Sequence, residues 1–403
     1  MGERLDEQAA RTPATRDRYV DFLRAFSIIA VVFGHWFSRI NYWEDGVIGT
    51  TMFVRVAPTG WILTWLLQVM PLFFFVGGFS NLVTYRSFER QGRSTGQFLR
   101  TRLARLLGPT IIFLLVWAVG QGFLNTTGTG ARTWWLLRGV KPPGATLPFG
   151  PLWFVAGYAF LIVVSPVMIA LHRRFGAAVP VTLVSAVVVA DWLGFVGGVP
   201  EARWTNVVFV LLLPHQLGFF YADGRLARMS KRAVAMVATG ALAALILLTN
   251  PWIFGDAGQR WFPGVGHYPR SLVGTDALPI SNANPPTVVL VAMAFWWIGL
   301  AMLLREPISR WLKRRRPWRA VVATNSVIMT LFLWHMTAYL LAMLALWPLG
   351  FGQTDPSSAR WWIERPLWIV VPGVILLGLV QLFGRFERRP SGSPEPILAQ
   401  RSV

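Results

Sequence analysis

Apolar residues fall into ten runs, at about 20–40, 60–84, 107–124, 151–171, 177–198, 204–222, 232–250, 286–304, 320–347 and 366–384. Each is close to the roughly 20 residues that a helix needs to cross a bilayer. The polar stretches between them alternate in character. One set is short or strongly basic; the other is rich in Gly, Pro and Trp and includes the long segments 125–150 and 251–285. Long irregular segments often serve as lids or binding loops. The pattern predicts an all-α polytopic membrane protein of about ten transmembrane helices. Residues 1–19 form a polar tail without the apolar core of a cleavable signal peptide. Residues 20–385 form one transmembrane domain with no visible internal repeat, and 386–403 read as a disordered tail.

Composition agrees with the pattern. Hydrophobic residues make up 54% of the 403 and charged residues 14%, where a soluble domain carries about 25% charged. The chain has 38 Lys and Arg against 18 Asp and Glu, a net charge of +20. Such a surplus would suggest nucleic acid if it formed one patch. Instead, the loops that share a side with the N-terminus hold 27 of the 38 basic residues, and the opposite loops hold 9. The more basic side faces the cytoplasm, so both termini are expected there. The partner is the lipid bilayer of a cell (inner or plasma) membrane, crossed many times, and not nucleic acid.

The absence of cysteine excludes disulfides, thiolate metal sites and a catalytic thiol. The five histidines are scattered without HExxH spacing, and no metal site is expected.

Ionisable residues inside a bilayer cost roughly 2.5–3.5 kcal/mol each and mark function by default. The first run, YVDFLRAFSIIAVVFGHWF, holds Asp21, Arg24 and His35. At 100° per residue, the eleven steps from Arg24 to His35 leave an offset of about 20° and a rise of about 16 Å. Asp21 lies one turn from Arg24, at pairing distance. One helix stripe thus carries a cation near the N-terminal side and a proton acceptor in the opposite half. A second cluster, FLRTRLARLLGPT, sets Arg102 and Arg105 at i, i+3 ahead of the third run, with Arg100 beside them. These arginines suit bidentate phosphate contacts, or act as snorkelling anchors. Secondary candidates are His335 in NSVIMTLFLWHMTAYLL, His215 after Pro214, and Asn81 after the glycines of PLFFFVGGFSN. Asp191 lies at the far end of the fifth run. Asp256, Asp276, His267 and Glu364 read as solvated or structural loop residues. Trp134, Trp135, Trp252, Trp261, Tyr268, Trp361 and Trp362 could stack on sugars or form the interfacial aromatic belt.

These motifs together resemble the acyltransferase-3 family of integral-membrane O-acyltransferases. VDFLRAFSIIAVVFGHW is similar to its first-span signature of an Arg and a His with ten residues between them, here Arg24 and His35, and RLAR matches its Arg-x-x-Arg motif. PLFFFVGGFSN, GPLWFVAGYAFLIVVSPVM and LFLWHMT resemble further segments, so the likeness runs from about 18 to 384. It departs at Gly77-Gly78-Phe79, where the family usually reads Ser-Gly-Phe, and no fused esterase-like domain is expected.

The resemblance implies transfer of an acyl group, usually acetyl, from cytoplasmic acyl-CoA, the donor substrate, to a hydroxyl of a carbohydrate, a lipid-linked glycan or another acceptor. No permanently bound cofactor is expected. Arg102, Arg105 and Arg24 would hold the donor's phosphates. His35, with Arg24 and Asp21, would act as general base or transient acyl carrier. A homo-oligomer stays open. Two other classes compete. A secondary transporter fits ten spans, but the apolar runs offer only Asp21 and Asp191 as carboxylates, and inverted repeats are absent. A polyprenyl-dependent glycosyltransferase would rely on Glu44 and Asp45 in the first outer loop.

Overall fold

The computed structural model describes residue 13 and residues 16–44, 47–53, 60–126, 147–249, 268–272, 282–354 and 358–387. Helix α1 spans Arg18–Phe37, and an antiparallel hairpin of β1 (Arg39–Glu44) and β2 (Val47–Met52) follows it. The remaining helices are α2 (Trp61–Leu67), α3 (Met70–Arg90), α4 (Thr95–Thr126), α5 (Leu152–Phe175), α6 (Ala178–Phe195), α7 (Asn206–Ala222) and α8 (Lys231–Thr249). The chain continues with α9 (Val288–Trp311), α10 (Arg315–Asn325), α11 (Ile328–Leu346), α12 (Ala359–Glu364) and α13 (Leu367–Phe383). Among the described residues, ten helical stretches are long and apolar enough to cross a membrane.

Four expected boundaries change, each for a local reason. The run 60–84 divides into α2 and α3 because Pro71 has no N–H to offer the Leu67 carbonyl, which instead accepts from Val69 N at 2.9 Å. The third helix starts at Thr95 rather than near 107, so Arg100, Arg102 and Arg105 lie within it. The run 320–347 divides at Ser326–Val327. Its first part, α10, is amphipathic, with Trp318 and Val321 buried against Ala25 of α1. The Glu387 carboxylate meets the start of α11, accepting from Met329 N (2.9 Å), Thr330 N (2.8 Å) and Thr330 Oγ1 (2.8 Å). Glu387, read as part of a disordered tail, is therefore docked. Residues 388–403 lie outside the described residues. The segment after α1 pairs Arg39 with Met52 and Glu44 with Val47 as a hairpin.

Burial separates a centre from a periphery. The spans containing α2–α3, α7 and α11 are 67% buried, whereas the α4 span is 17% buried. Helix α3 contributes to both large apolar clusters, one shared with α4, α5, α11 and α13 and the other with α2, α8 and α9. It touches α7 through glycine. A Cβ on Gly78 would lie 1.9 Å from the His215 carbonyl oxygen, and one on Gly218 would lie 2.1 Å from that of Phe75. Small residues permit such close helix approach in membranes, where packing rather than water drives association.

On the N-terminal side, α3, α5 and α7 are clamped together. The Gln216 amide donates to His172 Nδ1 (2.8 Å), so His172 Nε2–H donates to Asp223 (2.9 Å), which Arg86 also reaches at 2.5 Å. Partial burial works to raise the Asp223 carboxyl, but the His172 and Arg86 bonds outweigh it and hold the group down to about 2, from an ordinary 3.8.

Two outcomes follow from this packing. Gly78→Ala should lower stability by about 3 kcal/mol in thermal unfolding of the detergent-solubilised protein. Gly240→Ala, where nothing lies within 4 Å, should be neutral or slightly stabilising. A depressed carboxylate adds stability above its unfolded value and loses it as pH falls through its folded value. Wild type should therefore exceed Asp223→Asn by about 2 kcal/mol above pH 4, and the gap should close towards pH 2.

Candidate active site

The polar residues of the interior stack in layers along α1, α3 and α11. Nearest the N-terminal side, Asp21 accepts from Arg16 Nε at 2.5 Å and faces Arg24 Nη1 at 3.6 Å. Arg24 Nη2 donates to Ser80 Oγ at 2.7 Å. Asn325 Nδ2 donates to the Asp21 carbonyl at 2.9 Å, which ties α10 to α1.

The next residue of α3 is a hub. Asn81, fully buried, accepts two bonds from Arg102, Nε at 3.0 Å and Nη2 at 2.7 Å. Its amide nitrogen donates to Ser165 Oγ (2.9 Å) and to His215 Nε2 (3.1 Å). Tyr158 Oη lies 3.4 Å from Arg102 Nη2. Thus Asn81, His215 and Arg102, from three separate runs, form one cluster. Arg102 turns inward and keeps Nη1 beyond these bonds, while Arg105 on the same helix is exposed. The shared-face arithmetic missed this difference, because α4 packs on α5 and α11 and only one edge of it faces the bundle. Gly77 also has a local reason: a Cβ there would lie 2.8 Å from the Tyr158 ring.

His35 Nδ1 lies 2.7 Å from His335 Nε2, with the rings 5.0 Å apart and 14° from parallel. His335 Nδ1 is 2.5 Å from the Phe332 carbonyl. A carbonyl can only accept, so His335 carries its proton on Nδ1 and accepts on Nε2. His35 then donates from Nδ1, and its Nε2 holds a free lone pair. Trp36 Nε1 donates to the His335 carbonyl at 3.0 Å, which locks the two helices together.

One turn beyond the histidines comes a layer that sequence reasoning missed. It holds Arg39, Asn41, Tyr339, Arg365 and Trp368. Tyr339 Oη donates to Asn41 Oδ1 at 2.9 Å, and Arg365 Nη1 donates to the Arg39 carbonyl at 2.9 Å. The available signal was spacing, since Arg39 follows His35 and Tyr339 follows His335 by four residues each.

Other candidates are structural. Asp191 accepts from Asn206 (2.7 Å), Tyr268 (2.8 Å) and the Val288 amide (2.9 Å), fixing the start of α9. Glu364 accepts from Gly352 N and Arg360. Trp361 is buried against Phe53, and Trp362 is exposed. Asp45, Trp134, Trp135, Trp252, Asp256, Trp261, His267, Asp276 and the Glu44 side chain lie outside the described residues.

A family model for the acyltransferase domain Acyl_transf_3 matches residues 17–384. The chain belongs to the acyltransferase-3 family. It is a multi-pass membrane O-acyltransferase in the general sense of that family, and the match covers all the layers described above. No curated protein and no solved structure matches the chain.

The hub of this acyltransferase-3 protein can be tested directly. Asn81→Ala removes the acceptor of Arg102 and the donor to His215, and should cost about 3 kcal/mol of stability in thermal unfolding. Arg102→Lys should not preserve the hub, because an ammonium cannot present the two-pronged donor that Asn81 accepts.

Proposed function

We propose that the protein transfers an acyl group, most simply acetyl, from acyl-CoA to a hydroxyl of a carbohydrate, lipid-linked glycan or related acceptor, with His35 as the catalytic base. The observation that carries this reading is the His35–His335 pair, whose tautomers leave one basic nitrogen, His35 Nε2, uncommitted. A neutral imidazole held by a second histidine and a carbonyl is oriented like the base of a hydrolytic triad.

The steps follow from that nitrogen. His35 Nε2 takes the proton of the acceptor hydroxyl as its oxygen attacks the thioester carbonyl. The resulting imidazolium is stabilised through its Nδ1–H bond to His335. As the tetrahedral intermediate collapses, the C–S bond breaks and His35 returns the proton to the leaving thiolate. The same lone pair would serve if His35 first carried the acyl group itself.

The donor's route is supported by the cations below. Arg24 and Arg102 converge on the adjacent Ser80 and Asn81, and Arg105 is exposed one turn from Arg102. We assign Arg24, Arg105 and Arg102 Nη1 to the donor's phosphates. The rise of about 16 Å from Arg24 to His35 suits an extended thiol arm reaching the base. Asp21 orients Arg24. The loop-charge asymmetry supports a cytoplasmic entrance.

The test uses purified, reconstituted protein, acetyl-CoA binding and CoA release. His35→Ala should bind acetyl-CoA like wild type while release falls by about 10²–10⁴. His335→Leu should fall similarly, and His335→Gln, which retains an acceptor atom, should keep a larger share of the rate. Wild-type release by His35→Ala would remove His35 as the base. A protein that binds no acyl-CoA would turn the reading towards a transporter.

A further inference from the structure

Beyond the histidine pair, on the side opposite the N-terminus, the interior holds hydrogen-bond donors without acceptors. Arg39 Nε, Asn41 Nδ2, Arg365 Nε and Trp368 Nε1 are all buried and have no hydrogen-bond partner among the described residues. Trp368 is 0% exposed, Arg365 4% and Asn41 7%. A buried donor left unmatched costs about 1–3 kcal/mol, and more when it is charged. Four such donors of one polarity in one layer are not explained by packing.

The layer is contiguous. Arg39 and Asn41 alternate along β1 and so point to the same face of the strand. Arg365 is bonded to the Arg39 carbonyl at 2.9 Å. Tyr339 is bonded to Asn41 at 2.9 Å, and its ring lies 5.8 Å from that of Trp368. Tyr339 follows His335 by one helical turn, so the layer stands about 6 Å beyond the histidines.

Both guanidiniums are only partly compensated. Arg39 Nη1 donates to the Thr50 hydroxyl at 2.9 Å, and the Arg365 guanidinium lies 4.0 Å above the Trp361 ring. Neither is ion-paired with a carboxylate among the described residues. The neighbouring Glu364 is taken by Gly352 N and Arg360. Guanidiniums without a salt-bridged carboxylate, Arg365 buried and Arg39 half-buried, are costly unless an anion arrives.

We propose that the Arg39–Asn41–Arg365–Trp368 layer is a binding site for an anionic oxygen group, a carboxylate or phosphate, carried by the acceptor. The site rests on the acyltransferase reading for the identity of its occupant as acceptor. It deepens that reading: the acceptor is an acidic molecule whose charged group sits about one helical turn from the hydroxyl that His35 deprotonates. A group that only accepts hydrogen bonds satisfies all four donors, and an ionised one also neutralises the guanidiniums. A neutral sugar hydroxyl can do neither fully. The donor enters from the Arg24 side and the acceptor from the other, so the two meet at His35 without sharing a channel.

The experiment is a tryptophan-fluorescence titration of the reconstituted protein with glucuronate, glucose 6-phosphate and glucose. Wild type should bind both anions at least about tenfold more tightly than glucose, the worth of one charge-assisted hydrogen bond. Arg365→Gln and Arg39→Gln should erase that preference. Trp368→Phe removes one donor and little volume, so it should weaken the anions several-fold even if the arginine variants fail to fold. Arg232→Gln, exposed on the opposite side, should change nothing.

Equal affinity for glucose and the two anions in wild type would overturn the proposal. So would no binding of either anion, or a preference that survives all three substitutions. Uniform loss of all three ligands in the variants would also overturn it, because the layer would then shape the site rather than select charge. Anion binding by a protein that releases no CoA from acetyl-CoA would preserve the anion site and remove the acyltransferase reading of its occupant.

Discussion

The close contact of α3 with α7 sets the geometry of everything else. With Gly78 against the His215 carbonyl and Gly218 against that of Phe75, the two helices approach to backbone distance. That approach brings Asn81 within 3.1 Å of His215, and Asn81 in turn holds Arg102 from α4 and Ser165 from α5. In an apolar medium a polar side chain without a partner is expensive. Each of these groups is tolerable only while the others are in place. The glycine contact and the polar hub therefore require each other.

The interior is sorted by polarity along its axis. Arg24 and Arg102 sit towards the N-terminal side, the histidine pair follows, and the Arg39–Arg365 layer lies beyond. On the proposed reading, cations at both ends suit anionic molecules that arrive from opposite sides and meet at His35. The Phe332 carbonyl fixes the tautomer of His335 and the Trp36 indole ties α1 to α11, so on that reading little reorganisation accompanies proton transfer.

Much of the site was legible before any coordinates. The Arg24–His35 stripe, the pairing of Asp21 with Arg24, and the candidacy of Arg102, Asn81, His215 and His335 all follow from charge or polarity where a bilayer forbids it. What spacing could not tell was who meets whom. His335 was only a secondary candidate, because its partner lies 300 residues away on another helix. Arg102 and Arg105 read as equivalent because helical arithmetic knows nothing of neighbours. Arg39 and Arg365 were not singled out, because only the hairpin and the end of α12 bring them together inside the bundle.

The sequence by itself determined the membrane class, the number of crossings, the family motifs and which residues are costly enough to need a reason. It could do so because hydropathy and helical period are local properties of a chain in a bilayer. Only the tertiary structure decided the breaks at Gln68–Val69 and Ser326–Val327, the docking of Glu387 on α11, the inward turn of Arg102 and the joining of His35 to His335. The two breaks rest on local backbone bonds that hydropathy does not register; the other three depend on hydrogen bonds between segments far apart in sequence, which are set by packing rather than by the period of any single helix.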